Sequence, residues 1–122
     1  MQLTRDSSSV NFIRAWEPGR VRVADRWIAG NVLISGDRIV EAWTMAMPHA
    51  LNVADLEPAL ALEPTIVVLG TGTERLLPDV ELMAALAARS VGLEIMNTPA
   101  ACRTFNVLLQ EQRRVVAALF NR

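Results

Sequence analysis

The order of elements in the second half of the chain constrains the fold more than any other feature. Thr65 to Gly70 reads TIVVLG, a continuous β-branched apolar run of the kind that a strand buried on both faces requires. The stretch DVELMAALAARS, Asp79 to Ser90, is apolar nearly all round and rich in alanine, so it predicts a helix lying close against a sheet. VGLEIM, Val91 to Met96, predicts the next strand, and TPAACRTFNVLLQEQ a second helix with Thr98 as its cap and Pro99 at its first position. Strand, helix, strand and helix in this order imply a right-handed crossover between parallel neighbours. The carboxyl ends of both strands then lie on one side of the sheet, the edge where open α/β sheets place ligands. The last segment, RRVVAALFNR, admits more helix or a final strand, and its branched valines before small residues favour the strand.

The first forty-odd residues have a different character. VNFIRAW, RVRVADRWIAGNVLIS and RIVEAW are rich in valine, isoleucine and tryptophan, alternate with period two over Arg20 to Val23, and turn at Ser35–Asp37. They predict an antiparallel meander, with Trp16, Trp27 and Trp43 packed in its strands. Between the two regions, residues 44–64 hold three prolines. Asn52 and Asp55 are spaced as a helix cap and its partner, and Pro58 limits that helix to one or two turns.

A chain of 122 residues fits one domain, 1–122, able to bury a core without staples. A net charge of −1 gives no positive field for a phosphate backbone, so nucleic acid is not an expected partner. One cysteine, Cys102, and one histidine, His49, form no disulfide and no metal pair, and neither metal nor cofactor is expected. Every cationic side chain is arginine, which reads as codon bias. The start, MQLTRDSSSV, lacks the basic and apolar regions of a secretion signal, and no apolar run approaches the roughly 20 residues of a membrane span. The expectation is a cytoplasmic protein that does not insert into a membrane itself, as a monomer or weak homodimer.

The loop GTGTE after the first buried strand raises the question of a phosphate cradle. Amides of Gly70 to Thr73, with the free N–H groups at the start of the helix after Thr98, could hold an anion that Arg103 neutralises. The loop nevertheless lacks the third glycine of a dinucleotide fingerprint and the lysine of a P-loop, so a tight turn is the default. On the following helix Arg103, Asn106, Gln110 and Arg113 share one face, opposite Ala101, Phe105, Leu108 and Leu109. Glu94 falls within a strand expected to be buried, where a carboxylate needs a partner such as Arg103 or Arg113. Cys102, one turn into the helix, fits a buried apolar role. No catalytic triad can be assembled.

The series Gly70, Thr71, Gly72, then Glu94, Met96, Thr98, Ala101, Thr104, Asn106, Leu108, Glu111 and Arg113 resembles the small Mth-like domain family of unknown function. That family includes the adipogenesis-associated Mth-like domain protein and the mitochondrial respiratory complex I assembly factor. Phe105 stands where the family pattern has tyrosine, and Gln112 where it has glycine. The resemblance implies a three-layer α/β fold: a central mixed sheet with helices, a further antiparallel β layer from the N-terminal strands, and a last strand antiparallel to the rest. It also implies a non-catalytic, protein-binding role in a bacterial chain, assisting assembly of a membrane complex whose subunits would be its partners. The alternative is a ligand pocket, enzymatic or not, at Gly70, Thr71, Gly72, Thr98, Arg103, Thr104 and Asn106. Glu94, Glu111 and Arg113 are expected to form a structural ion pair, and in an enzymatic pocket Glu94 would be the acid or base.

Overall fold

A computed structural model describes residues 10–121. The targeting reading of the first residues falls on 1–9, outside the described residues. Strands β1 (Ile13–Glu17), β2 (Arg20–Val23) and β3 (Arg26–Ala29) form an antiparallel sheet in sequence order. Then come β4 (Val32–Ser35), β5 (Ile39–Val40), a 3-10 turn at Pro48–Ala50, α1 (Val53–Leu60), β6 (Ile66–Gly70), α2 (Val80–Ala88), β7 (Gly92–Met96), α3 (Thr98–Gln110) and β8 (Val115–Leu119). The second sheet runs β5-β4-β8-β6-β7. The N-terminal meander therefore divides, with three strands forming the outer layer and two joining the central sheet.

Period-two alternation in the central strands creates two separate cores. Val68, Val115, Ala117, Leu119, Val32 and Ile34 face one way, towards Ala101, Cys102 and Phe105 of α3 and Ile13, Val21, Val23 and Ile28 of the outer sheet. Val67, Leu69, Val116, Ala118, Phe120 and Leu33 face the other, towards Leu56 and Ala59 of α1 and Leu82 and Leu86 of α2. The mixed α/β architecture expected of the sequence is thus present, and β8, buried at all five residues, lies at its centre. The Asn52–Asp55 capping box closes the start of α1, as its spacing predicts. A non-glycine residue in the left-handed region follows the end of each helix: Ser90 and Gln112 directly after the caps of α2 and α3, and Glu63 two residues beyond the cap of α1.

Three expectations are corrected. The last strand pairs parallel with β6 and antiparallel only with β4, so it is not antiparallel to the rest. It inserts between them because its branched residues suit a strand covered on both faces. Glu94 is exposed, because β7 is the edge of the sheet and has a neighbour on one side only. Among the described residues neither Glu94 nor Glu111 nor Arg113 joins an ion pair; the pairs are Arg20–Glu17, Arg26–Glu41, Arg89–Glu57 and Arg114–Glu63, all on exposed surface. Finally, Trp43 lies beyond β5, where its Nε1 donates to Asp55 O at 2.6 Å and its ring lies 5.3 Å from that of Phe120.

Candidate functional site

β6 and β7 are parallel neighbours, so the glycine loop and the start of α3 meet at one sheet edge. The cap of α3 is Asn97, whose side chain accepts from Ala100 N–H at 2.9 Å; Thr98 is the first helical residue. Both residue types can cap, and tertiary bonding decides between them. Thr98 is fully buried, its Oγ1 accepting Gly72 N–H at 2.8 Å and donating to Phe120 O at 2.7 Å. One hydroxyl thereby ties the loop after β6 to the end of β8.

The loop amides are consumed in the same way. Thr71 N–H donates to Met96 O at 3.0 Å, and Thr98 N–H donates to Gly72 O at 2.7 Å. Buried Thr71 donates its hydroxyl to Glu74 O at 2.5 Å and accepts Leu76 N–H at 3.0 Å, so it holds the loop as a closed turn. Gly72 has φ +101°, a conformation open to glycine at little cost. A Cβ on Gly70 would lie 2.9 Å from Ala101 Cβ and 3.0 Å from Thr98 Cα, so glycine there permits helix and strand to touch. The Thr71 and Gly72 amides are therefore turned inward to protein acceptors, and the anion-cradle geometry expected of them is not formed.

The other residues of the expected pocket lie apart from the loop. Asn106 clasps β1, accepting Ile13 N–H at 2.9 Å and donating to Ile13 O at 2.8 Å. Thr104 donates to Met96 Sδ at 3.3 Å. Arg103 is exposed and, with Arg14, Trp16, Cys102 and Asn106, lines a cavity of about 290 Å³ between β1 and α3. Thr71, Gly72 and Thr73 instead line a cavity of about 240 Å³ with Met47, Pro48 and Leu76. The sequence-derived constellation is thus divided between two cavities. Burial pushes the Cys102 thiol up to about 12, against the opposing pull of Arg103, so the thiol stays protonated and poorly nucleophilic. Among the described residues no group of three or more metal-binding side chains converges.

Sequence reasoning missed an apolar surface beside the loop. Six of the seven large hydrophobic side chains exposed among the described residues fall in two short segments, Met45 and Met47, and Leu76, Leu77, Val80 and Met83. One cavity lining brings the two segments together at Met47, Pro48 and Leu76. The available signal was the apolar composition of α2, which reads as core until one notes that Leu82 and Leu86 alone use its buried side.

Comparison with known proteins places this arrangement. The description "Protein of unknown function (DUF498/DUF598)" belongs to the family whose pattern matches residues 13–120. The chain belongs to this family. It is 31% identical over 121 residues to NADH dehydrogenase (ubiquinone) 1 alpha subcomplex assembly factor 3 of Danio rerio, covering 96% of this chain and 68% of that protein. The Bos taurus protein of the same name is 50% identical over 121 residues, and the chain spans 64% of its length. Among solved structures, a Bordetella parapertussis protein superposes with a TM-score of 0.86 at 31% identity, covering 93% of this chain and 98% of that one. The family resemblance carried by Gly70 to Arg113 is therefore shown, and with it the kinship to the complex I assembly factor. No helix among the described residues is long and apolar enough to cross a membrane.

Proposed function

We propose that residues 1–122 form one Mth-like protein-binding domain that assists assembly of a membrane-bound respiratory complex, working from the cytoplasm of a bacterial cell. The observation that carries this reading is the set of exposed apolar side chains Met45, Leu76, Leu77, Val80 and Met83 in two short segments, with Met45 95% and Val80 75% exposed. Exposed apolar side chains gathered in a few short segments mark interaction sites, and methionine suits a surface that must adapt to a partner. The names of the vertebrate relatives point to the same role. The partner would be a subunit or subcomplex of the respiratory assembly. The test replaces the native chain in its source cell with a Leu77→Asp, Met45→Asp variant and measures the assembled complex on native gels. Both side chains are solvent-exposed, so the variant keeps its melting temperature. Assembled complex and partner capture fall together on this reading, whereas full assembly with this variant refutes it.

A second reading has one observation in its favour. The cavity between β1 and α3 carries two guanidinium groups, Arg14 and Arg103, and neither joins an ion pair among the described residues. A small carboxylate or phosphate would suit it, with Arg103 and Asn106 retained from the expected pocket and the glycine loop left out. Titration of labelled protein with phosphate and with succinate tests this by amide NMR. Shifts at Arg14 and Ala101 to Asn106 that vanish in Arg103→Ala support it, and a silent spectrum rejects it.

A further inference from the structure

Strand β1 is the outer strand of the three-stranded sheet, and its free edge faces α3 across a cavity. The hairpins fix which of its backbone groups point outward. Pro18 and Gly19 alone connect β1 to β2, and Ala24 and Asp25 alone connect β2 to β3, so Glu17 with Arg20 and Val23 with Arg26 are the hydrogen-bonded pairs that flank two-residue loops. The bond from Gly30 N–H to Gly19 O at 3.1 Å continues the same alternation. Trp16, opposite Val21, therefore turns its N–H and C=O away from β2, as Ile13 does opposite Val23. At Ile13 the edge is closed. The Asn106 side chain accepts Ile13 N–H at 2.9 Å and donates to Ile13 O at 2.8 Å, the two bonds that a residue of a neighbouring strand would make. At Trp16 no group among the described residues takes that place, and the edge is open.

We propose that this edge binds the free C-terminus of an extended peptide, added to β1 as an antiparallel strand. The proposal rests on the reading of this cavity as an anion site and names the anion. Strand addition supplies two backbone hydrogen bonds at Trp16. Asn106 already fills the next outward position, at Ile13, so an added strand cannot run past it and must end there. The end lies beside Arg14 and Arg103, the only charged residues of the cavity lining. Neither joins an ion pair among the described residues. Arg14 Cζ lies 5.9 Å from the centroid of the Phe12 ring, a contact that places the guanidinium and leaves its N–H donors free. Two guanidiniums match a terminal carboxylate and repel an amino terminus, so charge selects the antiparallel direction, which brings the carboxyl end to them. The cavity, about 290 Å³, is at the lower bound of ligand clefts, about 300 Å³, and so takes the last one or two residues of the peptide.

Amide NMR titration with two acetylated hexapeptides of alternating valine and threonine tests this, one ending in a free carboxylate and the other in an amide. The carboxylate peptide should shift the amides of Arg14 to Trp16 and of Arg103, slow hydrogen exchange at the Trp16 amide, and bind at least about tenfold more tightly than the amide peptide, as the loss of a charge-assisted contact implies. Arg103 is exposed, so Arg103→Gln keeps the fold, and in that variant the preference for the carboxylate peptide collapses. Methyl groups on alternate peptide nitrogens separate strand addition from ion pairing alone: in the frame that faces Trp16 they abolish binding, and in the other frame they leave it. Equal binding of carboxylate and amide peptides by the native chain overturns the proposal, as does an equal effect of the two methylation frames. So does equally tight binding of an amidated peptide with aspartate at its centre, which would show that the strand continues past Asn106. Shifts with succinate at the same residues, without binding of either peptide, reject this inference and leave the anion site standing. Silence towards succinate, phosphate and both peptides rejects the two together.

Discussion

Thr98→Val tests whether the hydroxyl clasp holds the sheet edge together. Valine keeps the shape of threonine, so the substitution removes the hydrogen bonds and leaves the volume nearly unchanged. Gly72 N–H loses its acceptor and Phe120 O loses its donor, in a place where Thr98 is fully buried and water has no ready access. An unsatisfied buried donor or acceptor costs about 1–3 kcal/mol. The carbonyl retains some tolerance because it has a second lone pair, so the sum is about 3 kcal/mol for the two groups. With an unfolding entropy of about 2.1 cal/mol/K per residue, 122 residues give about 0.26 kcal/mol/K at the midpoint. The melting temperature then falls by about 12 °C. Calorimetry on the variant and on Thr104→Val provides the comparison, since the Thr104 hydroxyl meets only a thioether and its loss costs well under about 1 kcal/mol. Hydrogen exchange at the Gly72 amide should rise well beyond the change in global stability. A loss below about 1 kcal/mol, or an unchanged Gly72 amide, would refute the clasp.

Three further outcomes follow from the same packing. Gly70→Ala forces a Cβ to within 3.0 Å of the Thr98 backbone and should cost about 2–3 kcal/mol in urea denaturation, as overpacking of a close helix–strand contact does. Gln112 has φ +63° where its N–H donates to Leu109 O at 2.9 Å and Arg113 N–H donates to Leu108 O at 3.0 Å, a helix end that glycine favours. Gln112→Gly should therefore raise stability by about 0.5–1 kcal/mol, and destabilisation would contradict this assignment. The Cys102 thiol ionises near 12 in the folded chain and near 9.0 when free, so only the unfolded state loses its proton between those values and stability falls as pH rises through that window. The slope from this group approaches about 1.4 kcal/mol per pH unit; Cys102→Ala should have a flatter profile above pH 9, and parallel profiles would show that the thiol does not contribute.

Much of this fold is legible in local sequence because its signals are local. The capping box at Asn52 and the β6-α2-β7-α3 succession depend on spacings within a few residues, and both appear in the structure. The neighbours of a strand are not encoded that way. Val115 to Leu119 shows by its branching that it is a covered strand, yet nothing in it says that β4 and β6 are its partners. Glu94 illustrates the same limit, since VGLEIM looks like a buried strand until the sheet order makes it an edge. There Arg75 Nε donates to Ile95 O at 3.1 Å, covering part of the open backbone with a charged side chain, a common protection of sheet edges. The Thr98 hydroxyl could be assigned to a cap on local grounds; its actual partners, Gly72 and Phe120, are 26 and 22 residues away.

The site follows a similar division between what turns inward and what turns outward. In a loop that receives an anion, the amides point to solvent and the apolar side chains are tucked beneath. Here Thr71 and Thr98 draw the loop amides and carbonyls into the protein, and Leu76 and Leu77 are left on the outside, 40% and 55% exposed. The hydroxyl of Thr71, by holding both Glu74 O and Leu76 N–H, sets the position at which those leucines emerge. α2 extends the same surface with Val80 and Met83. The threonines that suggest ligand chemistry in the sequence therefore act as supports of a closed loop from which the leucines emerge.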